Sequence, residues 1–279
     1  MIPLIDADVL CYEIGFASET GWQQEGIPPF DYVADMLDNR IGNICAMVGA
    51  TAPPILFLTG KTNFRNNLAK RQKYKERVGN KPFHYYNIRA YIQGKYDWRE
   101  HDGVEADDLM AIEQTRNGLL DSSVPRTIIC SRDKDLRTVP GWFYSWELAN
   151  QPSFGPDLCS DYGWASLSLD RKKIRGRGDK FFYSQCLTGD IVDTIPGLPK
   201  CGPVKAASII EATTTPLEGY NAVLEAYRGI YGDDAEKELL EQAQLLYMVR
   251  EWNEDGTPKM WEPPSTTEDS GLKPDITVS

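Results

Sequence analysis

Short apolar runs alternate with helical periodicities along most of this chain. Residues 2–5, IPLI, form the first run and end on Asp6-Ala7-Asp8. From Phe30 to Val48 the positions Val33, Met36, Leu37, Ile41, Ile44, Cys45 and Val48 recur at helical spacing, which predicts a helix packed on a sheet. Pro53-Pro54 closes it, and Ile55-Leu56-Phe57-Leu58 is the next buried strand, with Thr59-Gly60 at its carboxyl end. Phe83 to Ile92 is aromatic-rich and helical in pattern, and Val104-Glu105-Ala106-Asp107-Asp108 opens a further helix carrying Leu109, Met110 and Ile112. Arg126 to Cys130 is a strand that delivers Ser131-Arg132-Asp133-Lys134-Asp135, and Trp142 to Trp146 is a short aromatic strand. Residues 150–170 read as loops and strand pieces. Phe181 to Leu187 and the patterns 203–211, 216–228 and 233–250 are successive helices. The tail from Glu251 predicts a hairpin up to about Trp261 and disorder beyond it. Strands alternating with helices predict an α/β fold with a mostly parallel sheet.

The stretch QCLTGDIVDTIPGLPKCGPVKAA, Gln185 to Ala207, carries the densest chemistry. Asp190 and Asp193 stand one helical turn apart, where they can face one point. Gly197, Pro199, Gly202 and Pro203 then make a turn before a helix bearing Lys205, and glycines beside a helix N-terminus suit a phosphate. A plainer reading takes the acids as solvated caps. Acid groups recur, however, at Asp6 and at Asp133 with Asp135, each after an apolar strand, and at Glu105, Asp107 and Asp108 opening a helix. In a parallel sheet flanked by helices those places share one rim. So many carboxylates together raise one another's pKa, a penalty that divalent cations remove. Two ions roughly 4 Å apart can activate water and stabilise both oxygens at a reacting phosphorus.

Composition sharpens this picture. The six cysteines form no CxxC pair and there are only two histidines, so a hard, oxygen-liganded ion such as Mg²⁺ or Mn²⁺ is the metal expected. The net charge of −11 looks wrong for a nucleic-acid binder, but the bases are clustered. Lys61, Arg65, Lys70, Arg71, Lys73, Lys75, Arg77 and Lys81 face the single acid Glu76, and Tyr74 among them offers a face for base stacking. This segment, poor in apolar anchors, is expected to stand out from the body. Arg171, Lys172, Lys173, Arg175, Arg177 and Lys180 form a second cluster. No apolar run reaches the roughly 20 residues of a membrane helix, and MIPLIDADVL lacks a charged leader, so a cytoplasmic protein with no membrane partner is expected.

Together LIDADVL, FR…YKER, VEADDL, ICSRDKDL and LTGDIVDTIPGLPKCGPVKA resemble the flap endonuclease or 5′-nuclease family, particularly the bacteriophage 5′–3′ exonucleases, from about residue 2 to 250. The resemblance implies a PIN-like nuclease core over 1–175 with a helical arch at about 61–98. It implies a helical DNA-binding region with a helix–three-turn–helix over 176–250, and a tail over 251–279. By position, Asp6, Glu105 and Asp107, with Asp108 near them, look like ligands of a first metal, and Asp133, Asp135, Asp190 and Asp193 like those of a second. Lys75 and Arg77, with Tyr74, look like the arch residues at the scissile phosphate. Arg65, Lys70, Arg71, Gly197, Lys200, Gly202 and Lys205 look like DNA contacts, with a K⁺ ion at the 197–202 loop.

The implied activity is Mg²⁺- or Mn²⁺-dependent hydrolysis of DNA at 5′ ends, nicks and flaps by a monomer, in a phage-infected host. Thr59-Gly60 departs from the family, which has an aspartate at the end of the second strand; Asp8, on the same rim, is expected to compensate in part. A PIN-type ribonuclease, or a junction-binding protein that has lost cleavage, are the alternatives.

Overall fold

A computed structural model describes residues 1–75, 79–117, 126–159 and 162–265. In chain order the elements are β1 (Ile2–Asp6), α1 (Ala7–Gly21), α2 (Phe30–Met47), β2 (Ile55–Asn63), the one-turn α3 (Arg65–Leu68), α4 (Tyr85–Lys95), β3 (Asp97–Gly103) and α5 (Ala106–Arg116). They continue as β4 (Thr127–Cys130), β5 (Gly141–Ser145), β6 (Phe154–Cys159), β7 (Trp164–Leu167), β8 (Ile174–Arg177), α6 (Gly178–Thr188), α7 (Pro203–Ile210), α8 (Pro216–Tyr231) and α9 (Ala235–Leu246).

Six strands form one sheet in the order β3-β2-β1-β4-β5-β6, while β7 and β8 pair as a separate hairpin. All pairings in the large sheet are parallel except that of β6 with β5. β1 lies at the centre, with Ile5 opposite Leu56 on one side and Cys130 on the other. Its alternation decides which helix covers which face. Ile5, Leu56 and Leu58 pack with Leu10, Ile14, Leu37, Ile41 and Ile88 under α1, α2 and α4. Leu4, Phe57 and Ile129 turn the other way, onto Ala106, Met110 and Phe143 beside α5. A third core, with Phe182, Leu187, Ile195, Leu198, Tyr227 and Leu246, holds α6 to α9 together. The fold class expected from the pattern, a mostly parallel sheet flanked by helices, is the one found.

Among the elements with no counterpart in the sequence reading are α1 and β3. α1 starts directly on Asp6, which caps it by accepting from the Val9 N–H at 3.1 Å. Its stripe of Leu10, Ile14 and Ser18 is interrupted by Gly15, where Pro82 packs so closely that a Cβ would lie 2.3 Å from its ring. β3 is a polar edge strand, DWREHDG, with no apolar run to mark it.

Up to Lys75 the basic segment after β2 does not stand out from the body. Arg65 and Tyr74 are buried, at 1% and 5% exposure, and the backbone N–H groups of Lys70 and Arg71 both donate to Glu241 of α9. Two interior side chains and one acid thus lay the chain down across α9. At the other end a turn joins Trp252 to Pro258, and Trp261 packs on Phe182 and Tyr220. The tail expected to be disordered lies, from residue 266, outside the described residues. Among the described residues no helix is long and apolar enough to cross a membrane.

Candidate metal and phosphate site

Because β1, β2 and β4 run parallel, their carboxyl ends open on one edge, and a cleft of about 1040 Å³ lies there. Asp6, Asp8, Thr59, Lys75, Glu105, Asp107, Asp133 and Asp193 all line it. Asp6 is held from two sides, by the Val9 N–H and by the Ser131 hydroxyl, which donates to its Oδ2 at 2.7 Å. Ser131 Oγ also accepts from the Asp133 N–H at 2.9 Å, so one hydroxyl sets the ends of β1 and β4 relative to each other. Asp133 Oδ1 in turn accepts from the Asp135 N–H at 2.8 Å.

Burial pushes the Asp6 carboxyl up to about 7, helped by the nearby charges of Asp8 and Asp133. Asp107 is pushed well above the usual carboxylate range by burial and by Asp6 and Asp133. Burial also raises Asp133. These three carboxylates make no ion pair among the described residues. The cations at the rim are engaged elsewhere. Lys75 Nζ lies 2.6 Å from Glu105 Oε1 and 3.8 Å from Asp193 Oδ1, and Lys134 Nζ lies 2.8 Å from Asp135 and 2.5 Å from Asp190. Among the described residues no three His, Cys, Asp or Glu side chains converge on one point as they stand. Desolvated carboxylates that repel one another and lack a directly paired cation are nevertheless the donor set that a hard divalent cation relieves. Asp6, Asp107 and Asp133 therefore fit such an ion.

Asp193 reaches the cleft by another route than the expected helical turn, while Asp190, like Asp135, does not line it and pairs with Lys134. α6 ends at Thr188 with Gly189 in the left-handed region, and Asp190 sits in a tight turn, its Oδ1 accepting from the Val192 and Asp193 N–H groups. Burial works against the charge of Asp190, but Lys134 and those N–H groups hold its pKa below the usual value. Burial raises Asp193 despite Lys75. The turn closes where Gly189 and Gly197 cross: a Cβ on Gly197, itself at φ +63°, would stand 2.3 Å from the Gly189 nitrogen. Gly202 then precedes α7, and Lys200, Gly202 and Lys205 are exposed on that side.

Several expectations need correction. Asp108 is fully buried in a two-pronged pair with Arg65, at 2.6 and 2.8 Å, and also accepts from the Glu105 and Val249 N–H groups; its oxygens are committed, so it is no metal ligand here. Arg65, the other half of that pair, is no DNA contact. Tyr74 offers no stacking face: it lies in the helical core, its hydroxyl donating to Glu105 at 2.9 Å and Asp193 at 3.2 Å. Arg71 is drawn onto Glu238 and Tyr231, while Lys70 is exposed. Arg77 lies outside the described residues. Asp8 does reach the end of β2, accepting from the Thr59 N–H at 2.8 Å, but Arg89 pairs with it at 3.0 Å. Sequence reasoning missed Ser131, Arg89 and Lys134; only Lys134, inside the DKD triplet, stood beside a residue already singled out.

No protein-family model matches the chain, and no curated protein sequence matches it. Comparison with solved structures does find likenesses. Bacteriophage T5 5′-exonuclease with bound divalent zinc ions superposes with a TM-score of 0.54 at 16% identity, covering 87% of this chain and 99% of the other. The bacteriophage T5 flap endonuclease, in a pseudo-enzyme–product complex with DNA and metal ions, gives 0.50 at 14% identity over 88% and 98%. What this chain shares with those structures is the fold: a mostly parallel six-stranded sheet flanked by helices, over nearly their whole length.

Proposed function

We propose that the chain is a divalent-metal-dependent 5′-nuclease that hydrolyses DNA at 5′ ends, nicks and flaps. The observation that carries this reading is the group Asp6, Asp107 and Asp133, desolvated and without a paired cation, at the ends of β1 and β4 and the start of α5, in a cleft that Val192 and Asp193 of the turn after α6 also line. The T5 structures of the same fold, one of the 5′-exonuclease and one of the flap endonuclease with DNA, add to it by analogy. Residues 1–175 would be the nuclease core, 176–250 the DNA-holding helices and 251–279 an appended tail.

Asp6, Asp107 and Asp133, with Glu105 of the same cleft, would hold one Mg²⁺ or Mn²⁺, and Asp135, Asp190 and Asp193 a second. Bound there, such ions supply charge neutralisation at phosphorus and a water of lowered pKa. The chain's own residues do the rest. Gly202, Lys200 and Lys205 take duplex phosphates at the start of α7, where free N–H groups and the helix dipole favour anions. A K⁺ at the 197–202 loop belongs to the same reading; the Gly197 carbonyl there accepts from Arg71 at 3.4 Å. Lys75 lines the cleft with the acids, and its ammonium would meet a phosphate oxygen once it leaves Glu105. Phosphate contacts carry no base information, so binding is blind to sequence and falls steeply with salt.

Nicked and 5′-flapped duplexes, labelled at either end and incubated with Mg²⁺ or EDTA, test this directly. Mg²⁺-dependent release of 5′-phosphorylated mono- or short oligonucleotides is expected. Binding without cleavage in Mg²⁺ and Mn²⁺, or cleavage confined to single-stranded RNA, would refute it.

A further inference from the structure

The rim treats its carboxylates unequally. Asp6, Asp107 and Asp133 line one cleft and make no ion pair among the described residues, whereas Asp135 and Asp190 are bridged by one lysine. Lys134 Nζ stands 2.8 Å from Asp135 Oδ1 and 2.5 Å from Asp190 Oδ2, so a single ammonium spans two acids that are 6% and 8% exposed. Both acids are fixed in place by other bonds. The Gln185 amide donates to Asp135 Oδ1, and the Val192 and Asp193 N–H groups hold Asp190 Oδ1. Lys134 itself is the mobile partner: its side chain is 51% exposed, on a flexible stem with freely rotating donors. An arginine fork would be harder to dislodge from two carboxylates.

We propose that Lys134 is the built-in counter-ion of the Asp135–Asp190 pair, and that a divalent cation enters there only by displacing it, which makes the two cation positions of the rim unequal in affinity. This rests on the nuclease reading and deepens it. The Asp6–Asp107–Asp133 position accepts an ion without losing any existing pair. The Asp135–Asp190 position must first give up two short charged hydrogen bonds. Filling the second position also frees an exposed ammonium beside those acids, available to an incoming phosphate.

The test is a Mn²⁺ titration of the full chain without DNA, with free Mn²⁺ followed by electron paramagnetic resonance. Wild type is expected to bind one ion tightly and a second about 10-fold or more weakly, the scale on which an opposite charge at this distance shifts a carboxylate equilibrium. Lys134→Met should tighten the second ion toward the first, while Lys134→Arg should leave it weak. Lys134→Gln repeats the measurement if the Met variant melts below the assay temperature in EDTA. Two ions of equal affinity in wild type would overturn the proposal without any variant. So would an unchanged or weakened second ion in both Lys134→Met and Lys134→Gln, the result for a lysine that only braces the turn. Flap cleavage assayed on the same wild-type sample separates the two levels: active enzyme with equal sites sinks only the lysine's role, whereas wild type that binds no Mn²⁺ sinks the nuclease reading and this proposal with it.

Discussion

Arg65 and Asp108 meet fork to fork, at 2.6 and 2.8 Å, in a position that solvent does not reach. Arg65 also donates from Nε to the Leu245 carbonyl and from Nη2 to that of Tyr247, so one guanidinium ties the segment after β2 to α5 and to the end of α9. Asp108 closes the start of α5 at the same time. The pair joins the sheet to the helical region behind it.

Removing either partner strands a buried charge. Arg65→Ala and Asp108→Asn should each lower unfolding stability by about 3–5 kcal/mol, the cost typical of breaking a buried pair. Urea denaturation at pH 7 measures this. A loss below 1 kcal/mol would mean that water reaches the pair in solution.

The unpaired acids predict the opposite sign. Asp133→Asn and Asp107→Asn each remove one of three mutually repelling carboxylates, so both variants should melt higher than wild type in EDTA. Both should lose most of the rise in melting temperature that Mg²⁺ gives wild type, and nearly all cleavage, while duplex binding in Ca²⁺-free EDTA buffer persists. A thermal scan with and without Mg²⁺ and a gel shift check the two halves separately.

The pH dependence follows from the raised carboxyls. Burial holds Asp6 at about 7 and Asp135 at about 6, against an ordinary value of 3.8. Their folded forms keep protons that the unfolded chain releases, so this contribution to stability is full below 3.8 and is lost as pH rises through about 6 and about 7. Asp190 is shifted downward and loses its contribution at acid pH, below this window. In EDTA the melting temperature should therefore fall between pH 5 and pH 8, and the gain from Mg²⁺, which favours ionised carboxylates, should grow over the same range. Equal Mg²⁺ gains at both pH values would contradict the assignment of these acids to the ion.

Gly197→Ala should be costly out of proportion to its size. Its φ of +63° is strained for alanine, a cost of about 1–3 kcal/mol, and the new methyl would press on the Gly189 backbone. Gly202→Ala, where a Cβ meets nothing within 4 Å, is the control expected to fold normally. Chemical denaturation of the two variants side by side decides the matter.

How much of this the sequence reveals depends on the range of the interaction concerned. α2 and β4 are legible because periodic apolar positions and a run ended by a polar cluster are local signals. The common rim is legible because parallel strands deliver whatever follows them to one edge. The fate of the basic segment is not. Arg65 is one cation among many until Asp108, 43 residues away, turns it inward, and Tyr74 is an exposed-looking aromatic until the core around α6 to α9 closes over it. Asp108 illustrates the same limit: spacing places it with Glu105 and Asp107, and only the partner shows that its oxygens are taken. Ser131 escapes notice because a hydroxyl bridging two aspartates has no composition or period to mark it.

The crossing of Gly189 and Gly197 has a geometric corollary. With the backbones in contact at that point and Asp190 locked to Ile195 by a pair of hydrogen bonds, α7 and the rim acids cannot slide past each other. If α7 carries the duplex, the turn works as a ruler, and the position of the cut is counted outward from the helix in steps of the sugar–phosphate chain.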